Sequence, residues 1–145
     1  LAAKPKTFKD QFTFIPVREA HLEFFAFAFQ EELPPIDEVI GNTMVDRLHY
    51  LPLGFALARL WPSGAVSIHA YFGQWLKTYP KDVLRALKGT VDELRAMGIQ
   101  DIHAVADESV PGSDTLLEWL GGEKTEQFVD GQGWYYKINL DRSRI

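Results

Sequence analysis

Four histidines, at positions 21, 49, 69 and 103, are the side chains of this chain that titrate near neutrality, so a general base working at physiological pH is sought first among them. His69 and His103 fall in two strand-forming segments, 65–72 and 101–106. In the first, Val66, Ile68, Ala70 and Phe72 alternate with Ser67, His69 and Tyr71, which places His69 on the polar side. Each of the two histidines is either a base that takes a proton from an incoming nucleophile or a structural histidine satisfied by its neighbours. His21, in a helical stretch, and His49, at a strand edge, read as surface residues. No H-x-x-x-H or H-x-H spacing occurs, which leaves a metal site without support. The serines lie outside any G-x-S-x-G context, and no phosphate-binding P-loop is present. Asp107-Glu108-Ser109 follows the second strand segment at its C-terminal end, where open α/β sheets place ligands; the two carboxylates either bind a cationic substrate or are solvated loop acids. Glu31-Glu32 and the stretch 123–126 read as solvated surface.

These groups have to be positioned by a chain of 145 residues, a length that fits one domain, and its 46% hydrophobic content suffices for one packed core. The absence of cysteine excludes a disulfide framework, a thiolate metal site and a cysteine nucleophile. A net charge of −5 argues against coating nucleic acid, which calls for a positive field. No segment approaches the roughly 18 to 20 continuous apolar residues of a membrane span, and Leu1-Ala2-Ala3-Lys4-Pro5-Lys6 has no apolar stretch behind its charges, so a soluble cytoplasmic protein is expected.

Residues 1–10, with three lysines and a proline, read as an extended arm. Alternation at Phe12 and Phe14 predicts a short strand ended by Pro16. A helix is expected over about 18–30, with Leu22, Phe25, Ala26, Phe29 and Leu33 on one face; Phe24, Phe27 and Ala28 widen that face, predicting either burial on two sides or an exposed aromatic patch. Pro34-Pro35 stops it, and 36–42 reads as one more helical stretch. Leu53, Phe55, Leu57 and Leu60, the turn Trp61-Pro62-Ser63-Gly64 and the strand 65–72 predict a hairpin. The segment 73–79 reads as a loop, and Pro80 as the first residue of a helix that runs to about Met97 and stops at Gly98. Strand, long helix and strand 101–106 then require a crossover and a parallel pair. Ser113 is expected to cap a last short helix, ended by Gly121-Gly122, and the turn Asp130-Gly131-Gln132-Gly133 to join two closing strands, 124–129 and 134–140. The class is α/β (α+β) with a mixed sheet.

The strand Val66-Ser67-Ile68-His69-Ala70-Tyr71-Phe72 before the long helix, then Ile102-His103-Ala104-Val105-Ala106, Leu116-Leu117-Glu118-Trp119-Leu120-Gly121-Gly122 and the closing hairpin resemble the GNAT superfamily of acyl-CoA-dependent N-acyltransferases. Within it, the last 80 residues or so are most similar to small GNAT-like proteins of tailed phages, including internal virion proteins of short-tailed phages. The segments that carry this likeness are Leu117 to Gly122, Glu123 to Glu126, Asp130-Gly131-Gln132 and Trp134-Tyr135-Tyr136. The resemblance implies a mostly antiparallel sheet with a central, splayed parallel pair and helices on both faces. It implies acetyl-CoA as co-substrate and an amine as acceptor.

The family holds the CoA diphosphate in a Q/R-x-x-G-x-G/A loop before the long helix. Here Gln74-Trp75-Leu76-Lys77-Thr78-Tyr79-Pro80 keeps the glutamine and fills both glycine positions. The resemblance places CoA against Tyr71, Phe72, Gly73, Gln74, Lys77, Thr78 and Lys81, with His69 or His103 as base. The resemblance maps the family's acidic tyrosine to Leu117, which leaves Tyr135 or Tyr136 on the last strand as a substitute proton donor, or both as sheet residues with wet hydroxyls. Two functions compete: acetyl transfer from acetyl-CoA to an amine, and a non-catalytic GNAT-like virion morphogenesis or interaction protein, whose partners would be virion or assembly proteins.

Overall fold

A computed structural model describes residues 11–145; the arm expected over 1–10 lies outside them. The elements, in chain order, are β1 (Phe12–Pro16), α1 (Glu19–Phe29), a 3-10 turn (Ile36–Glu38), β2 (Val39–Asp46), β3 (Pro52–Leu60), β4 (Val66–Tyr71), α2 (Trp75–Thr78), α3 (Pro80–Ala96), β5 (Asp101–Asp107), α4 (Ser113–Trp119), β6 (Gly122–Val129), β7 (Gly133–Asn139) and a closing 3-10 turn (Leu140–Arg142). The strands form one sheet ordered β1-β2-β3-β4-β5-β7-β6, antiparallel except for β4 and β5. No helix among the described residues is long and apolar enough to cross a membrane.

Helix α3 supplies the crossover that a parallel pair requires. Pro80 opens it where a missing N–H costs nothing, and Val83, Ala86, Leu87, Thr90, Val91 and Leu94 are buried at helical spacing. Gly98, at φ 83°, ends it, while Ile99 donates its N–H back to the Leu94 carbonyl at 3.0 Å. Asn42 on β2 donates to the Ala86 carbonyl and to Thr90 Oγ1, each at 3.3 Å, which pins α3 to the sheet. Leu87 and Leu94 are fully buried, and truncating either to alanine would cost about 2–5 kcal/mol. This main core also takes Met44, Ala56, Ile68, Ile102, Tyr136 and Ile138 from the sheet and Leu117 from α4. The opposite face carries a smaller core in which Leu22 and Phe25 of α1 meet Val39, Phe55 and Leu57.

Several expectations are corrected. Helix α1 is buried on one side only: Phe24 is 42% and Phe27 87% exposed. It ends at Phe29, short of the two prolines, because Gln30 turns left-handed at φ 53° and the Glu31 N–H closes on the Ala26 carbonyl at 3.2 Å. The segment 36–42 is a single 3-10 turn and then β2, since the β-branched Val39 and Ile40 pair with β3, and Thr43 and Val45 pair with both β1 and β3. Residues 73–79 contain the helical turn α2 where a plain loop is expected. Ser113 does not cap α4; Gly112 occupies the cap position at φ 86°, and Ser113 Oγ donates to the Asp107 carbonyl at 2.8 Å. His21 is buried, and its Nδ1 accepts the Arg18 N–H at 3.0 Å, closing the first turn of α1.

Candidate functional site

Strands β4 and β5 touch at a single register position, Ser67 opposite His103, near the start of both. Beyond it the two run on to Tyr71 and Asp107 without pairing to each other, although β3 pairs β4 as far as Tyr71 and β7 pairs β5 as far as Asp107. The sheet therefore splits along its middle at the C-terminal ends of the parallel strands, the place where open α/β sheets take ligands. The facing edges of the split expose backbone amides and carbonyls. Ala70 has the parity of the core face yet is exposed, as this opening demands.

Strand parity brings Ser67, His69 and Tyr71 to the α1 side of the sheet, and the Ser67–His103 register adds His103, Val105 and Asp107. On β7, Tyr135 lies opposite Val105 and Lys137 opposite His103, so Tyr135 shares that side. His103 Nδ1 and the Tyr135 hydroxyl are hydrogen-bonded at 2.6 Å with their rings stacked 5.6 Å apart. His69 stands apart from that pair. Its ring lies 5.6 Å from that of Phe55 and makes no hydrogen bond to any described residue. The cleft walls desolvate the imidazole even though one edge stays exposed, and this lowers its pKa from 6.5; Glu31 and Asp107 oppose the shift through their charges. The neutral, proton-accepting form is thus favoured at physiological pH. Asp107 accepts the Ser109 hydroxyl at 2.6 Å and the Ser109 N–H at 2.8 Å, which holds its carboxyl below the usual carboxylate range and keeps it charged.

A cleft of about 200 Å³ lies beside His69, between the segment after α1 and the surface of β3 and β4. Phe55 and Leu57 form its apolar base, and Glu31 and Glu32 stand at its lip. Trp61 donates from Nε1 to Ser67 Oγ at 2.8 Å, and the Arg59 guanidinium sits 3.7 Å above the Trp61 ring while bonding Glu38 at 3.0 Å. Sequence reading set Glu31 and Glu32 aside as solvated surface. Both are exposed, as that reading has them, and they line the cleft just after the left-handed Gln30 that ends α1.

At the far end of β4 the backbone is already engaged. The N–H groups of Trp75, Lys77, Thr78 and Tyr79 donate to the carbonyls of Phe72, Gln74, Gln74 and Trp75, at 3.0, 3.2, 3.2 and 2.7 Å. The Trp75 ring packs edge-on against Phe12 at 4.5 Å and lies 6.0 Å from Tyr79. Thr78 Oγ1 donates to the Gln74 carbonyl at 3.2 Å. Phe72 is in the core, so only its backbone faces the split, whereas Tyr71, Gly73, Gln74, Lys77 and Lys81 are exposed.

The sequence matches no family model and no curated protein. Solved structures do resemble it. A GNAT-family acetyltransferase of Staphylococcus aureus Mu50 aligns with a TM-score of 0.66 at 10% identity, over 89% of this chain and 99% of that one. The chain has the GNAT fold. YncA of Salmonella typhimurium, solved with its cofactor acetyl-CoA, aligns with a TM-score of 0.63 at 16% identity, over 90% and 94% of the two chains. The PaiA N-acetyltransferase of Thermoplasma acidophilum, in complex with coenzyme A, gives 0.54 at 10% identity, over 81% and 67%. On this GNAT fold the parallel pair, the otherwise antiparallel sheet and the helices on both faces agree with the arrangement expected from the sequence, while β2 brings the expected six strands to seven. Leu117, to which the sequence resemblance maps the family's tyrosine, is buried in the main core.

Proposed function

We propose that the chain is an acyl-CoA-dependent N-acyltransferase that holds its thioester in the split between β4 and β5 and acetylates an amine presented beside His69. The observation that carries this reading is the single-position β4–β5 contact, with His69 on β4 two residues beyond it and its pKa lowered by desolvation. Neutral His69 takes a proton from the acceptor nitrogen, whose lone pair attacks the thioester carbonyl. A C–N bond forms, the C–S bond breaks, and the thiolate leaves. Backbone N–H groups around Tyr71, Phe72 and Gly73 steady the negative charge on the carbonyl oxygen. The Tyr135 hydroxyl, oriented by His103, supplies the proton that the thiolate takes up. Because the amides of Trp75, Lys77, Thr78 and Tyr79 are engaged by local carbonyls, the diphosphate is met by the exposed Lys77 and Lys81 rather than by a backbone cradle.

Thiol release from acetyl-CoA in the presence of amines tests the reading. His69→Ala should lower the rate by about 10²-fold or more, the usual weight of a general base. Wild-type protein that releases no thiol with any amine would overturn it.

The aromatic filling of the loop favours a second reading: a GNAT-like phage protein that has lost its donor site and serves virion assembly, in the host cytoplasm or the virion. Recovery of virion components in a pull-down from infected cells, together with no acetyl-CoA binding, is its expected signature.

A further inference from the structure

The cleft beside His69 has the chemistry of a receptor for a short carbon chain with a positive charge at its far end. Its volume of about 200 Å³ admits a small aliphatic molecule. The base, Phe55 and Leu57, is apolar and suits methylene groups. Glu31 and Glu32, at the lip, form no ion pair with any described residue. The one cation on the wall, Arg59, is engaged by Glu38 at 3.0 Å and by the Trp61 ring, so it offsets little of their field. Exposed carboxylates, buried apolar side chains and a histidine without a hydrogen-bond partner among the described residues thus line a single cavity.

We infer that this cleft binds a short aliphatic diamine, with one nitrogen against His69 and the other, as ammonium, between Glu31 and Glu32. The inference rests on the acyl-transfer reading only in making the nitrogen beside His69 the one acylated; the binding itself needs no acyl donor. An amine of this kind arrives protonated; it gives that first proton to solvent before attack, and the His69 imidazole takes the second as the C–N bond forms.

Calorimetry with 1,5-diaminopentane and with n-pentylamine, in low salt and without any thioester, tests it. The diamine should bind at least tenfold more tightly than the monoamine. Its affinity should fall about tenfold between 50 and 500 mM salt, because the contact with the carboxylates is screened. Glu31→Gln combined with Glu32→Gln should abolish the preference for the diamine while leaving circular dichroism and melting unchanged, since both side chains are exposed. Equal affinity for the two amines, or a preference that survives the double substitution, would overturn the inference, as would the absence of binding by either amine. Diamine binding without thiol release from acetyl-CoA would uphold this cleft and refute acyl transfer, so the two failures are told apart.

Discussion

Trp75→Gly separates an indole that obstructs the donor site from one that serves it. Trp75 is half-buried and pairs with Phe12 at 4.5 Å and with Tyr79 at 6.0 Å. Two aromatic pairs at about 0.5–1.5 kcal/mol each amount to ~1–3 kcal/mol. Glycine within the α2 turn adds about 1 kcal/mol. The expected loss is therefore about 2–4 kcal/mol, read as a lower urea midpoint with an unchanged m-value, and it leaves a folded protein if the parent has the usual stability of about 5–15 kcal/mol. Acetyl-CoA affinity, measured on the same samples, should hold or rise, because the substitution unlocks the turn that consumes the amides of Trp75, Lys77, Thr78 and Tyr79. A tenfold loss of affinity would show that the indole contacts the ligand and refute the obstruction argument. A stability cost below about 1 kcal/mol would refute the packing argument.

Other consequences follow from the histidines. With His69 neutral in the fold and its pKa lowered by desolvation, the acid limb of kcat/KM for acetyl transfer should fall below 6.5, and a limb at or above 6.5 would remove it as the base. His21 accepts the Arg18 N–H in its neutral form, and burial together with the Arg18 charge lowers its pKa. Its contribution to stability is thus complete above the ordinary value of 6.5 and is lost as pH falls below it. His21→Ala should cost about 1 kcal/mol at pH 7.5, as the loss of a helix-start hydrogen bond does, and should flatten the fall in melting temperature between pH 7 and 5. An unchanged acid slope in that variant would contradict the assignment.

The elements that periodicity reveals in isolation were legible in the sequence. Helix α3 shows its buried stripe from Val83 to Leu94, its opening proline and its closing glycine, and the strand-helix-strand order around it requires the parallel pair. Strand parity likewise set His69 opposite the apolar residues of β4. What stayed hidden depends on neighbours distant in sequence. Val39 to Asp46 becomes a strand because β1 and β3 lie on either side of it, and local propensity in 36–42 does not report that pairing. Helix α2 forms where Phe12, 63 residues earlier, offers Trp75 a ring to pack against. The cleft at Glu31 arises from one left-handed residue, Gln30, whose side chain gives no hint of it. The His103–Tyr135 hydrogen bond needs the β5–β7 register, which neither strand encodes alone.

The central claim, that the split between β4 and β5 holds an acyl thioester, is tested most directly by titrating the protein with acetyl-CoA in a calorimeter. The account predicts a dissociation constant on the order of micromolar, about −8 kcal/mol, and its loss in Lys77→Glu, which reverses the charge where the diphosphate would lie. Absence of binding at millimolar acetyl-CoA would contradict it.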